Sequence, residues 1–193
     1  MRAFTNYNNV QEYTDSIKLP VGAYKAKIIR AEEQGDALCI LFDIADGEYK
    51  DFYRKKFGND KKAFPDDAKF KGVFRLWYPS GNEYDENNER KMKTALKKIC
   101  ESNSHLNIDF TKEWDGALLK DCCVGVVFRE QEYNYKGNHG FTAQPFSLIT
   151  LSDLKDGNFT IPEPKYLKDS TANSQQSNGF SDMPLDEDDD LPF

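Results

Sequence analysis

The chain has 193 residues, of which 38% are hydrophobic, 31% charged and 13% aromatic, with a formal net charge of -7. This length suits one domain with tails. The longest apolar run, about Cys122 to Phe128, falls far short of the ~18 residues of a membrane span, and Met1 to Tyr7 leads into polar residues without the apolar core of a secretory leader.

The first twenty residues are polar, with Asn8 to Tyr13 placed to open a short helix behind an Asn cap and Leu19-Pro20 to end it. Ala23 to Glu32 alternates as a strand, with Tyr24, Ala26 and Ile28 on one face. Ala37 to Ala45 is a second strand, with Leu38, Ile40, Phe42 and Ile44 in phase and Asp43 on the other face. After the turn dipeptide Asp46-Gly47 the pattern predicts a third strand over Glu48–Phe57, completing an antiparallel meander. Gly58 to Ala68 reads as a charged loop and Lys69 to Tyr78 as a further extended segment.

Glu83 to Ser102 carries the clearest helical signal. Met92, Ala95, Leu96, Ile99 and Cys100 form one apolar stripe, and acids crowd the start of the segment. Ala117 to Tyr135 has the pattern of about two strands, Lys136 to Gly140 is a hairpin turn by composition, and Phe141 to Ile149 returns as a strand. Thr150 to Gly157 reads as a capped helical turn, and Pro162 and Pro164 mark the end of the domain. Asp169 to Ser181 has the composition of a flexible linker. Pattern alone therefore gives a mainly β body with one main α-helix.

The charge divides unevenly. Residues 169–193 hold seven acids and no Lys or Arg, and the remaining 26 acids match the 26 Lys and Arg of the body. Within that neutral body, Lys50 to Tyr78 has nine basic residues against four acids, with eight aromatics threaded among them. Cations track phosphates and rings stack on unpaired bases, so this interleaving is what a single-strand surface requires. The candidate contacts are Phe52, Tyr53, Arg54, Lys55, Lys56, Lys71, Arg75 and Trp77. In Lys69–Tyr78 the strand period puts Phe70, Phe74, Leu76 and Tyr78 on the core face, and Lys71, Val73, Arg75 and Trp77 on the other. Both faces of Lys50–Phe57 are mixed. Each ring can equally be core filling for a small β domain.

The last eight residues, Asp186, Glu187, Asp188, Asp189, Asp190, Leu191, Pro192 and Phe193, are five acids followed by a small hydrophobic tip. Five adjacent acids cannot be buried unpaired. An acidic run with an aromatic anchor suits a pocket with a basic rim, so we read it as a partner-docking peptide.

This tip resembles the C-terminal tip of bacterial single-stranded DNA-binding proteins. Leu19 to Tyr24, Leu41 to Tyr53, Phe70 to Arg75 and Gly157 to Phe159 resemble phage-encoded single-stranded DNA-binding proteins of Gram-positive hosts, across most of residues 19–162. The resemblance implies an OB-fold-like five-stranded antiparallel barrel over residues 1–162, a flexible polar linker over 163–185 and a docking tip over 186–193. It also implies a cytoplasmic protein that coats single-stranded DNA during phage replication or recombination and recruits replication proteins. Oligomeric state is left open.

Enzymatic signals are absent from the sequence: no Gly-rich phosphate loop, H-E-x-x-H or nucleophile elbow occurs. Asp43, Asp46 and Glu48 cluster near a turn, where acids are common. Cys39, Cys100, Cys122 and Cys123 form no C-x-x-C pair and lie far in sequence from His105 and His139, so reduced thiols are expected and no metal or cofactor. The rival to a nucleic-acid binder is an adaptor whose acidic tail docks partners or mimics DNA while its body binds no nucleic acid.

Overall fold

The computed structural model describes residues 18–63, 65–81, 84–135 and 138–167. The sequence expectations for Asn8–Tyr13, for the linker beyond Leu167 and for the acidic tip lie outside these residues. Five strands, β1 (Ala23–Gln34), β2 (Ala37–Ile44), β3 (Val73–Trp77), β4 (Cys123–Tyr135) and β5 (Asn138–Ile149), form one antiparallel sheet in the order β3-β2-β1-β4-β5. Among the described residues the ladder is open, with β3 and β5 at its edges. The mainly β, five-stranded antiparallel expectation holds at this level. None of the described helices is long and apolar enough to cross a membrane.

The core lies where the alternating faces meet. Ile28, Ile40, Phe42, Ile44, Val126 and Phe128 are fully buried. Phe42 and Phe128 meet edge to face, and Tyr24 and Tyr53 extend the ring cluster. The β1 alternation predicted through Ile28 changes phase, because the β1–β2 register shifts between Ile28 and Arg30. Beyond that bulge Ala31 takes the buried position. The hairpin β4–β5 runs past the end of β1, whose pairing with β4 stops at Ala23 opposite Val127.

Two expectations for the middle of the chain are corrected. Glu48–Phe57 is not a strand: Glu48 to Asp51 turns, and α1 spans Phe52–Ala63. The expected loop over Gly58–Ala68 is therefore helical in its first half, and the described residues hold two long helices where the pattern gave one. Three causes combine, two of them local. Gly47 and Asp51 adopt left-handed backbone, with φ of 76° and 58°, which swings the chain off the sheet. Arg54, Lys55, Lys56, Lys61, Lys62 and Ala63, half of the helix, are good helix formers. The Asp43 carboxylate then caps the helix: Oδ1 accepts from the N–H of Tyr53 at 2.9 Å and Oδ2 from that of Arg54 at 3.0 Å. The third strand of the meander is instead β3, shorter than the expected Lys69–Tyr78 segment. Gly72 leads into it, and a Cβ there would lie 2.3 Å from the Phe42 carbonyl oxygen. Only glycine permits that approach, in which the Phe42 N–H donates to the Gly72 carbonyl at 2.8 Å.

The other elements follow their local signals. Helix α2 (Asp85–Ser102) buries Ala95, Leu96 and Ile99 of its predicted stripe. Asn103 ties its end to β4, donating to the Cys123 carbonyl at 2.8 Å and accepting the Cys123 N–H at 3.0 Å. The two-strand pattern of Ala117–Tyr135 resolves into a 3-10 turn over Gly116–Leu119 and the single long strand β4. Helix α3 (Leu151–Asp156) is capped as its sequence predicts: the Thr150 hydroxyl accepts from the Asp153 N–H, and Gly157 takes the left-handed position at φ 73°. Beyond Pro162 the chain continues against β4, where Lys165 bridges Gln131.

Candidate nucleic-acid interface

A cleft of about 1070 Å³ opens between α1, the approach to β3 and the projecting β4–β5 hairpin. Helix α1 supplies Phe52, Tyr53 and Lys56, and the β3 approach supplies Phe70, Lys71, Val73 and Arg75. The hairpin faces them with Glu130, Tyr133, Tyr135, His139 and Phe141, and Lys18 to Val21 close the base. Lys18, Lys56, Lys71 and Arg75 thus stand against Glu130. Such a surface attracts anions and offers rings on both sides.

Several of these side chains are held by local contacts. Tyr53 is a buried wall residue, edge to face with Phe42 and Phe52 and tilted against Phe70. Burial pushes its phenol pKa up, and the nearby Asp43 charge adds to the effect. Phe52 is half-buried and touches Tyr49. Lys56 lies 3.7 Å from Asp60 one helical turn on. The Lys71 amine is pushed below its ordinary 10.5, first by burial and then by the Lys56 charge. Arg75 is exposed on β3, between buried Phe74 and Leu76, as strand alternation predicts.

The far wall has its own framework. Glu132 is only 4% exposed. One carboxylate oxygen pairs with His139 Nε2, and the other accepts the Leu167 N–H at 2.9 Å. The Glu132 N–H donates to the Lys165 carbonyl at 2.9 Å, and the Lys165 N–H donates to the Glu130 carbonyl at 2.8 Å. Phe141 meets His139 and Tyr166 edge to face. Lys165 and Leu167 are thereby tied to β4 beside the cleft.

The sequence-derived contacts divide between surfaces. Phe52, Tyr53, Lys56, Lys71 and Arg75 line the cleft. Arg54 and Lys55 do not. Arg54 is exposed, 3.9 Å from Asp43, and Lys55 Nζ donates to the Lys50 carbonyl at 2.8 Å. Trp77 lies beyond the cleft on the same face of β3 as Arg75 and is 50% exposed. The helix also resolves which way Lys50–Phe57 points: positions 52, 53 and 56 share one side, as the helical period requires.

The hairpin rings Tyr133, Tyr135 and Phe141 were not among the sequence-derived contacts. Their signal was present as aromatics flanking a recognised turn, but local pattern does not bring them opposite residues 52–75. The four cysteines are free thiols. Cys122 Sγ lies 4.0 Å from His105 Nε2, yet no group of three or more potential metal ligands forms among the described residues.

Compared with protein-family models and with curated proteins, the sequence finds no match.

Proposed function

We propose that this protein binds single-stranded DNA without sequence preference and coats it during phage replication or recombination in the host cytoplasm. The cleft carries this reading. Cations from α1 and the β3 approach face rings from the β4–β5 hairpin, so a backbone can follow the charges while its bases turn toward aromatic faces. The strand order β3-β2-β1-β4-β5, with α2 between β3 and β4, supports an OB-type barrel for the body. The tip Asp186–Phe193 recruits replication or recombination proteins. The protein acts by binding, not by catalysis.

Fluorescence anisotropy with a labelled dT oligomer tests the reading. The expected result is binding that weakens with salt at a slope of about −0.7 per phosphate contact, with similar affinity for mixed-sequence strands. No binding to single strands at low salt would overturn it and leave the adaptor role of the acidic tail. An equal affinity for duplex would also count against it, because stacking requires unpaired bases.

A further inference from the structure

Helix α1 has a second face that the cleft does not use. Arg54, Lys55, Lys61 and Lys62 are all exposed. The helical period gathers them into one stripe, opposite the Phe52, Tyr53 and Lys56 side. The only acid within the helix is Asp60, which lies on the cleft side with Lys56. Lys61 lies over the Phe57 ring, 5.8 Å from its centroid, so part of the stripe is held in place by packing.

The position of these charges is electrostatically awkward. The first turn of α1 contains no acid, while Arg54 and Lys55 lie near the positive end of the helix dipole, where cations are disfavoured. Buried Asp43 offsets this from outside the helix by capping the N–H groups of Tyr53 and Arg54. Lys27 and Lys120 extend positive charge into the same neighbourhood, with Asp121 between them: Lys27 Nζ is 2.8 Å from Asp121, whose carboxyl also feels Lys120 and Arg54.

We propose that the outer face of α1 is a second phosphate-binding track, on which a single strand leaving the cleft continues over the helix. This inference rests on the single-strand reading above. The occupant is a nucleic-acid backbone, because among the described residues the stripe offers cations without exposed rings for bases to stack on, apart from the ring beneath Lys61. The cleft would then hold bases and backbone, and the outer stripe backbone alone. A 12-residue helix is ~18 Å long, enough for several consecutive phosphates.

The test compares two oligomers on the full chain. A dT oligomer of about 5 nucleotides fits one cleft, and one of about 30 also reaches the outer face. Lys61→Glu/Lys62→Glu is expected to leave the short oligomer within twofold of wild type. The same variant should weaken the long one about tenfold or more and flatten its salt slope by about 0.7 for each phosphate left without its lysine. Lys61→Gln/Lys62→Gln, which removes charge without reversing it, should show the same pattern more weakly, and circular dichroism checks that α1 persists in both variants. An unchanged long-oligomer affinity and slope would overturn the second track while leaving the cleft reading intact. An equal loss for both lengths would overturn it too, by showing only a general charge effect. If a synthetic Asp186–Phe193 peptide bound wild type and lost binding in the variant, with the long oligomer unaffected, the stripe would be a peptide dock instead. Failure of wild type to bind either oligomer would sink the underlying reading.

Discussion

The carboxylate of Asp43, on β2, accepts the backbone N–H of Tyr53, on α1, at 2.9 Å. Asp43 stands on the strand face opposite Phe42 and Ile44, where period two would leave it in water, yet it is only 3% exposed. It also accepts the N–H groups of Ile44 and Arg54. One sheet carboxylate thus positions the helix that forms a cleft wall. Asp43→Ala should leave those donors unpaired and destabilise the protein by about 2–4 kcal/mol. Urea unfolding measures the loss, and hydrogen exchange should show it concentrated in α1; uniform exchange across the sheet would contradict this role.

Trp77 and Trp114 separate cleanly as reporters. Trp77 is half-exposed beside the cleft, whereas Trp114 packs edge to face on Phe110 with ring centroids 5.2 Å apart. Stacking is worth about 1–3 kcal/mol per base, roughly a 5- to 150-fold change in affinity. Trp77→Ala should therefore weaken poly-dT binding within that range and remove most of the tryptophan quenching. Retention of quenching in this variant would assign the signal elsewhere and take Trp77 out of the interface.

Tyr135 makes the complementary case for the hairpin wall. It lines the cleft and is exposed, so Tyr135→Ala should cost little stability. Its expected effect is a loss of affinity for short dT oligomers by about 5-fold or more. Thermal melting and anisotropy on the same variant distinguish this from damage to the fold. A stable variant with unchanged affinity would mean that the strand does not reach the hairpin.

Lys71 gives the cleft an alkaline pH dependence. Lys71 is exposed to solvent, yet the protein crowding its amine, with the Lys56 charge, disfavours the ammonium and lowers its folded pKa from 10.5. In the window just below 10.5 the unfolded chain therefore binds more protons, and the Lys71 contribution makes folding less costly as pH rises. Binding runs the other way. The neutral amine does not pair with phosphate, so affinity should begin to fall at lower pH than for an ordinary lysine, and binding should take up a proton in that window. Lys71→Arg, always charged, should extend tight binding to higher pH. If its pH profile matched wild type, Lys71 would not be a phosphate contact.

Removing Leu191, Pro192 and Phe193 should separate two roles of the acidic tail. Five acids, Asp186 to Asp190, remain to compete for basic surfaces. Partner capture should be lost while DNA affinity and its salt dependence stay within about twofold of the full chain. Pull-down and anisotropy on the same variant read both. Partner capture that survived the deletion would remove the hydrophobic tip as the anchor.

Features with local causes were legible in the sequence. Alternation marked β1 and β2, the apolar stripe marked α2, Thr150 and Gly157 bounded α3, and the charge count separated a neutral body from an acidic tail. The identity of residues 52–63 was not local. Phe52 to Phe57 carries rings and charges at spacings that suit either period, and the deciding partner, Asp43, lies on another element. The cleft was less legible still. Its basic wall could be read from the crowding of Lys and Arg in Lys50–Tyr78, but its aromatic wall comes from Tyr133 to Phe141, and only the sheet order brings the two together. Period and composition act over a few residues, whereas a binding surface is made by contacts between segments far apart in the chain. The tertiary structure alone decided that Lys56 and Arg75 share a cleft with Tyr135, while Arg54 and Lys55, beside Lys56 in sequence, face the other way.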